Sequence, residues 1–280
     1  MNKILVVDGS NLLFQMFYGM PARILGPNGK PIQGTLGFVG ALLKILRMVQ
    51  PSHAAVLFDG ECANPRKELD AEYKANREDW SQVPEEELPF SQLPDIFQAL
   101  QVLGIAYAET DNCEADDWMA GYAFTYGQEN DVVIASQDSD LFQLISPNIR
   151  ILRYRGDQTA LWDETCLMEK YGILPRQYAD HKALTGDASD HIPGVPGIGC
   201  KTATALLRQF GSLEEMLFRT EEIRRPSVRR AVEENADRVR LNARLIKLEN
   251  RQELPFSLEE MVWQDRGITT HQVLQRIGLR

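Results

Sequence analysis

The chain has 280 residues, of which 44% are hydrophobic and 25% charged, with a formal net charge of −10. That length accommodates one large domain, or a domain and a smaller companion, around a real apolar core. No apolar run nears the ~20 residues that span a bilayer, and the opening MNKILVVDGSN lacks a signal-peptide layout. A cytoplasmic monomer with no membrane partner is expected.

The cysteines (Cys62, Cys113, Cys166, Cys200) never pair as C-x-x-C, and the histidines (His53, His181, His191, His271) are scattered. Both facts argue against a zinc site or a disulfide framework. The acidic balance speaks against a nucleic-acid partner unless acids gather in a metal site and bases cluster elsewhere.

In chain order, KILVVD (3–8) reads as a buried strand, and TLGFVGALLKILRMVQ as a helix with Leu36, Val39, Leu43 and Leu46 on its apolar face. HAAVLFD (53–59) is a second strand. A basic segment, PRKELDAEYKANRED (65–79), sets Arg66, Lys67, Lys74 and Arg77 beside Tyr73, and REDWSQVPEEELPFSQLPD (77–95) reads as an irregular or mobile connection. EADDWMAGYAFTY is helical, and DVVIASQD (131–138) and IRILRY (149–154) are strands. Alternating buried strands and amphipathic helices predict an α/β fold with a mostly parallel central sheet flanked by helices. From about 175 helical patterns dominate: ATALLRQF and LEEMLF flank Gly211, and an arginine-rich stretch runs from about 222 to 248. Residues 1–172 are expected to form the α/β part and 173–280 a helical subdomain.

Three predicted strands end in aspartate: Asp8, Asp59 and Asp138. Ligands of open parallel sheets bind at the carboxyl ends of the strands. One Asp-Gly is an ordinary turn, but three acids on one edge repel and lose solvation unless cations balance them. Glu114, Asp116 and Asp117 open a helix, where acids also serve the helix dipole; all three approach one site only if Glu114 lies at or before the first turn. Asp138 and Asp140, two apart, point to one side of an extended segment, although Asp140 also suits a helix cap. Asp187 and Asp190 sit in the glycine-rich LTGDASDHIPG, where a turn would use them too. An oxygen-only set suits hard ions such as Mg²⁺ or Mn²⁺. Nine carboxylates exceed the needs of one octahedral ion and fit a pair, the arrangement used in phosphodiester hydrolysis.

IPGVPGIGCKTATALL (192–207) carries glycines at 194, 197 and 199 just before a helix. Such a helix-hairpin-helix, placed at about 183–210, turns backbone N–H groups toward a phosphate without reading base sequence. Gly197, Ile198, Gly199, Cys200, Lys201 and Thr202 are its candidate DNA contacts. Tyr73 beside cations suits single-stranded DNA, where bases stack on aromatic rings, whereas Arg224, Arg225, Arg229, Arg230, Arg238, Arg240 and Arg244 read as a mixed-charge helical face.

VVDGSNLLF, LFDG, EYKANR, EADD, SQDSDLFQL and GDASDHIPGVPGIGCKTA, in this order and spacing, resemble the bacterial 5′→3′ exonuclease and flap endonuclease family. That family includes the N-terminal nuclease domain of DNA polymerase I. The resemblance runs from residue 3 to about 248, and with no polymerase segment following, the chain is similar to a free-standing member. It implies a PIN-like core with two Mg²⁺ (or Mn²⁺) ions, the first held by Asp8, Asp59, Glu114 and Asp116, the second by Asp117, Asp138, Asp140, Asp187 and Asp190.

The resemblance also implies an arch at about 64–95, with Tyr73, Lys74 and Arg77 at its base; Lys74 and Arg77 would be catalytic, offsetting charge on the scissile phosphate. It further implies K⁺ in the hairpin, held by main-chain oxygens of Leu184, Thr185, Pro193, Val195 and Ile198. The chain departs from the family pattern at Asn64-Pro65-Arg66, around Trp80, and at Ser139, His191 and Cys200.

The expected activity is hydrolysis of DNA at 5′ ends, flaps, nicks or single-stranded 5′ ends, leaving a 5′ phosphate, in replication and repair at the bacterial nucleoid. The alternatives are a non-catalytic DNA-structure binder, or a ribonuclease acting on RNA in RNA–DNA hybrids. A dinucleotide-binding site is excluded, because no glycine-rich fingerprint follows the first strand.

Overall fold

The computed structural model describes residues 1–60, 65–76, 82–84, 87–249 and 252–280. Its central sheet has six strands in the order β3-β2-β1-β4-β5-β6: β1 Lys3–Asp8, β2 His53–Phe58, β3 Ala106–Glu109, β4 Asp131–Ala135, β5 Ile149–Arg153 and β6 Ala160–Trp162. The first five run parallel and β6 is antiparallel to β5. The strands at 3–8, 53–59, 131–138 and 149–154 thus appear where expected, with β4 ending three residues early. Short, half-exposed β3 and β6 were not foreseen.

Apolar side chains alternate between the two faces of each strand. Leu5, Val7, Val56 and Val133 pack under α1 (Gly9–Gly19), α2 (Gln33–Val49) and α4 (Leu93–Leu103), with the short α3 (Pro65–Leu69) between α2 and α4 in the chain. Ile4, Val6, Leu57, Val132 and Ile134 face α5 (Ala115–Tyr126). Burial on both sides is why these strands read as unbroken apolar runs. Helix α4 begins at Leu93 with a proline in its first turn, where a missing N–H costs nothing. The irregular connection expected over 77–95 therefore ends at 92; residues 77–81 and 85–86 lie outside the described residues.

A third core holds α7 (Tyr178–Thr185), α8 (Cys200–Phe210), α9 (Leu213–Phe218), α10 (Pro226–Glu234) and α11 (Ala236–Ile246) together. From Leu248 onward the chain leaves this helical core: Leu248 and Met261 join the α5 side of the sheet, and Val273 of α12 (Thr270–Arg276) joins the α2 side. The Trp263 indole N–H donates to the Leu103 carbonyl at 3.2 Å. No strong helical or strand period marks this return strap, so its destination is a tertiary fact. Among the described residues no helix is long and apolar enough to cross a membrane.

Candidate metal and nucleic-acid site

Strand β1 is bonded to β2 on one side and β4 on the other, so the connections diverge at its carboxyl end and leave a crevice there. Asp8 ends β1 and caps α1. One carboxylate oxygen accepts from the Asn11 N–H at 2.9 Å and the other from the Ser136 hydroxyl at 2.7 Å. Burial, then the neighbouring charge of Asp59, pushes its carboxyl up to about 7. Asp59 follows β2 and accepts from the Ala115 N–H at 2.9 Å, which fixes the start of α5 over the crevice. Glu114 is the N-cap of α5 and so precedes the first turn, the condition under which it and Asp116 can face one site. Asp8, Asp59, Glu114, Asp116, Asp138 and Lys74 line a single cavity of ≈ 590 Å³.

The Asp116 Oδ1 atom is sealed from solvent with no hydrogen-bond partner, 3.6 Å from the Arg66 guanidinium. Burial raises this carboxyl well above its ordinary value despite the attraction of Arg66. An orphaned, buried carboxylate oxygen beside other acids is an arrangement that a cation would relieve.

The second group forms around the loop after β4 and the end of α7. Asp140, Asp187 and Asp190 each offer an oxygen within 4.8 Å of the others. Asp138 joins the two groups: it lines the cavity, accepts from the Asp140 N–H at 2.8 Å, and its charge acts on Asp8, Asp140 and Asp190. Lys182, buried on α7, pairs with both Asp140 and Asp187. Burial pushes Asp140 up to about 7 against the pull of Lys182. Burial also raises Asp190, with Lys74 opposing. For Asp187 burial acts upward too, but Lys182 and Ser189 outweigh it and hold the carboxyl below the usual range. Lys182 offsets Asp140 and Asp187 and Lys74 opposes the shift of Asp190, yet the acids outnumber these cations.

Asp117 departs from the expected grouping. Its carboxylate binds Arg66 through both oxygens, at 2.7 and 3.1 Å, and accepts from the Glu114 N–H at 3.3 Å. It lines a pocket with Arg244 and Lys247. Three residues from Glu114, it satisfies the helix N-terminus and anchors Arg66, which also pairs with Glu114.

Tyr73 and Lys74, expected at the base of an arch, are stapled to the carboxylate crevice and the helical core. Lys74 has a positive φ of 56°, a conformation a non-glycine residue adopts only under constraint. Its N–H donates to the Asp190 carbonyl at 2.9 Å and its ammonium pairs with Glu114. Tyr73 corrects the stacking expectation: it is 3% exposed, packed in the helical core, with its hydroxyl donating to Glu114 at 3.1 Å. Its ring is not offered to a nucleobase. Arg77, Asn64 and Trp80 lie outside the described residues.

The hairpin between α7 and α8 is built by β7 (Gly186–Asp187) and β8 (Ile192–Pro193). Gly194 is required here: a Cβ would sit 2.3 Å from the Thr185 carbonyl group. Gly199 caps α8 with no side-chain hydrogen bond. Gly197, Cys200 and Lys201 are exposed and Thr202 half-buried, whereas the Ile198 side chain is buried, leaving its main chain for contact. Around the expected potassium position, the Leu184 carbonyl accepts from Val195, Val195 from Ile198, and Pro193 from the Asn242 amide. A carbonyl oxygen has two lone pairs, and Thr185 lies between Leu184 and Gly186 in the same loop.

Two family models match in tandem: "5'-3' exonuclease, N-terminal resolvase-like domain" over 3–172 and "5'-3' exonuclease, C-terminal SAM fold" over 173–267. The chain belongs to the 5′–3′ exonuclease family. Among curated relatives of this chain, DNA polymerase I of Rhizobium leguminosarum is 37% identical over 268 residues, covering 92% of this chain and 26% of that protein. The thermostable DNA polymerase I of Thermus aquaticus is 37% identical over 259 residues, covering 92% and 29%. The chain therefore spans roughly a quarter of the length of these relatives.

The fold of the chain is shared with a bacteriophage T5 flap endonuclease solved in a complex with DNA and metal ions (TM-score 0.73, 23% identity, 87% of this chain and 88% of that one). It is also shared with the catalytic core of Rad2 in complex with DNA substrate (TM-score 0.62, 16% identity, 99% and 93%).

Sequence reasoning missed Lys182 and the roles of Ser136 and Asn11, which lie inside the motifs, and did not separate Arg66 from its basic neighbours. Each role is recognisable only once its carboxylate partner is adjacent.

Proposed function

We propose that this chain hydrolyses phosphodiester bonds of DNA at 5′ ends or 5′ flaps, with two divalent ions held by its two carboxylate groups. The observation that carries this reading is the single crevice in which Asp8, Asp59, Glu114 and Asp116 meet, joined through Asp138 to Asp140, Asp187 and Asp190. An all-oxygen donor set fits Mg²⁺ or Mn²⁺. When bound, such a pair activates water and neutralises charge on the reacting phosphate.

The chain's own residues supply the rest. Asp8, Asp59, Glu114 and Asp116 hold one ion, and Asp138, Asp140, Asp187 and Asp190 the other, with Asp117 acting through Arg66. Lys74 sets an ammonium on the cavity wall, where it can offset phosphate charge, and Arg77 is assigned the same task. The hairpin, with K⁺ on the main-chain oxygens of Leu184, Thr185, Pro193, Val195 and Ile198, holds duplex DNA by its backbone. One copy of the chain carries the whole acid set, in keeping with a monomer, and a role in replication and repair follows from such a substrate.

Matched 5′-flap, nicked and single-stranded DNAs, each with Mg²⁺, Mn²⁺ or chelator, test this reading. Cutting should need the ion and favour a 5′ arm joined to duplex. Asp116→Ala and Asp140→Ala should abolish cutting while DNA binding persists. Full turnover by both variants contradicts the assignment.

A further inference from the structure

Beside the hairpin, helix α6 (Glu164–Tyr171) and α8 enclose a cleft of ≈ 350 Å³. Three cations line it, Lys170, Lys201 and Arg208, over a floor of Tyr171, His181 and Thr204, and no carboxylate takes part. In a chain with 40 acids against 30 bases, an acid-free pocket with three cations is a local inversion of charge. Lys201, Thr204 and Arg208 recur at i, i+3 and i+7, one face of α8.

The cleft is also held in shape. The Thr204 hydroxyl donates to the Tyr171 carbonyl at 3.1 Å, and the Arg208 Nε donates to the Gly172 carbonyl at 2.7 Å. These bonds satisfy the C-terminal carbonyls of α6 and set the Arg208 guanidinium at the cleft wall. Lys170, in the last turn of α6, is exposed.

We propose that this cleft is a second anchor for the DNA backbone, in which Lys170 and Arg208 extend the hairpin's grip along a duplex by binding a further phosphate. The partner chemistry is a phosphodiester chain at fixed spacing, because the cleft shares Lys201 with the hairpin and is continuous with it. Seven residues of α8 span about 10 Å, and each strand of a duplex presents a charge every ~3.4 Å. The anchor therefore lies up to about three phosphates beyond the hairpin contact. The proposal rests on the duplex-binding reading above.

The test measures binding of the full chain, in chelator so that nothing is cut, to DNAs with a constant single-stranded 5′ arm and a duplex arm of increasing length. Wild type should gain affinity as the duplex reaches the cleft. Lys170→Ala should lose that gain, about 5-fold at about 0.15 M salt, with the slope of log K against log salt falling by about 0.9. Lys170→Glu should lose more. Arg208→Gln should behave like Lys170→Ala, whereas Arg208→Lys, which keeps the charge, should hold the wild-type slope. Thermal melts of each variant separate lost charge from lost fold.

The proposal is overturned if Lys170→Glu matches wild type at every duplex length, or loses as much on single-stranded DNA alone. If wild type itself gains nothing from a duplex arm, the duplex-binding reading has failed instead, and the two results are told apart by that control.

Discussion

Replacing Lys182 with methionine removes the one buried ammonium that pairs with both Asp140 and Asp187. The side chain is 11% exposed and its partners 8% and 9%, so solvent screens the pairs little. Removing one partner of a buried ion pair costs about 3–5 kcal/mol. Asp140, already pushed up to about 7, can take a proton and recover part of this, which puts the loss near the lower bound, about 3 kcal/mol. At ~2 °C per kcal/mol for a chain of this size, Tm in chelator should fall by about 6 °C.

The same change removes a positive charge from the place where a divalent ion would bind. Unit charges 4 Å apart are worth about 4 kcal/mol near a protein surface, so Mg²⁺ should bind the variant at least about 10-fold more tightly than wild type. Differential scanning calorimetry in chelator, followed by Mg²⁺ titration, reads both effects. An unchanged Tm together with an unchanged Mg²⁺ response would refute the counter-charge role of Lys182.

Three further outcomes follow from the geometry. Asp8 and Asp140 have folded pKa values of about 7, above the ordinary 3.8; for such raised carboxyls the stability contribution is full below about pH 4 and is lost as pH rises through about 7. The Mg²⁺-induced rise in Tm should accordingly grow between pH 5.5 and 8 (~2.5 units), and a flat difference would count against the shifts. Asp117→Ala should lower Mg²⁺ affinity about 10–100-fold, as a group acting through Arg66, while Asp116→Ala removes cutting; equal loss in both, by Mg²⁺-dependence of cleavage, would return Asp117 to the inner ligands. Gly194→Ala forces a Cβ to within 2.3 Å of the Thr185 carbonyl group, so binding to duplex-bearing DNA should weaken by more than about 10-fold, the equivalent of ~1.4 kcal/mol of strain; unaltered binding would show that the hairpin can relax.

The strands around Asp8, Asp59 and Asp138 were legible because both of their faces are buried, which leaves unbroken apolar runs, and because an aspartate after such a run marks a carboxyl edge. The hairpin was legible through Gly194, whose lack of a Cβ is demanded by a close backbone approach. Composition and order along the chain determined that these acids exist and that they belong to strand ends, a helix start and a glycine loop.

Only the tertiary structure decided how they divide. It turned Asp117 to Arg66, buried the Tyr73 ring, and set Lys182 between acids that precede and follow it in the chain. It also sent the segment after Leu248 back to the sheet. The physical reason is the same in each case. A charged or aromatic side chain takes its role from the partner packed against it, and those partners lie 42 to 51 residues away for Lys182–Asp140 and Arg66–Asp117, beyond any local period.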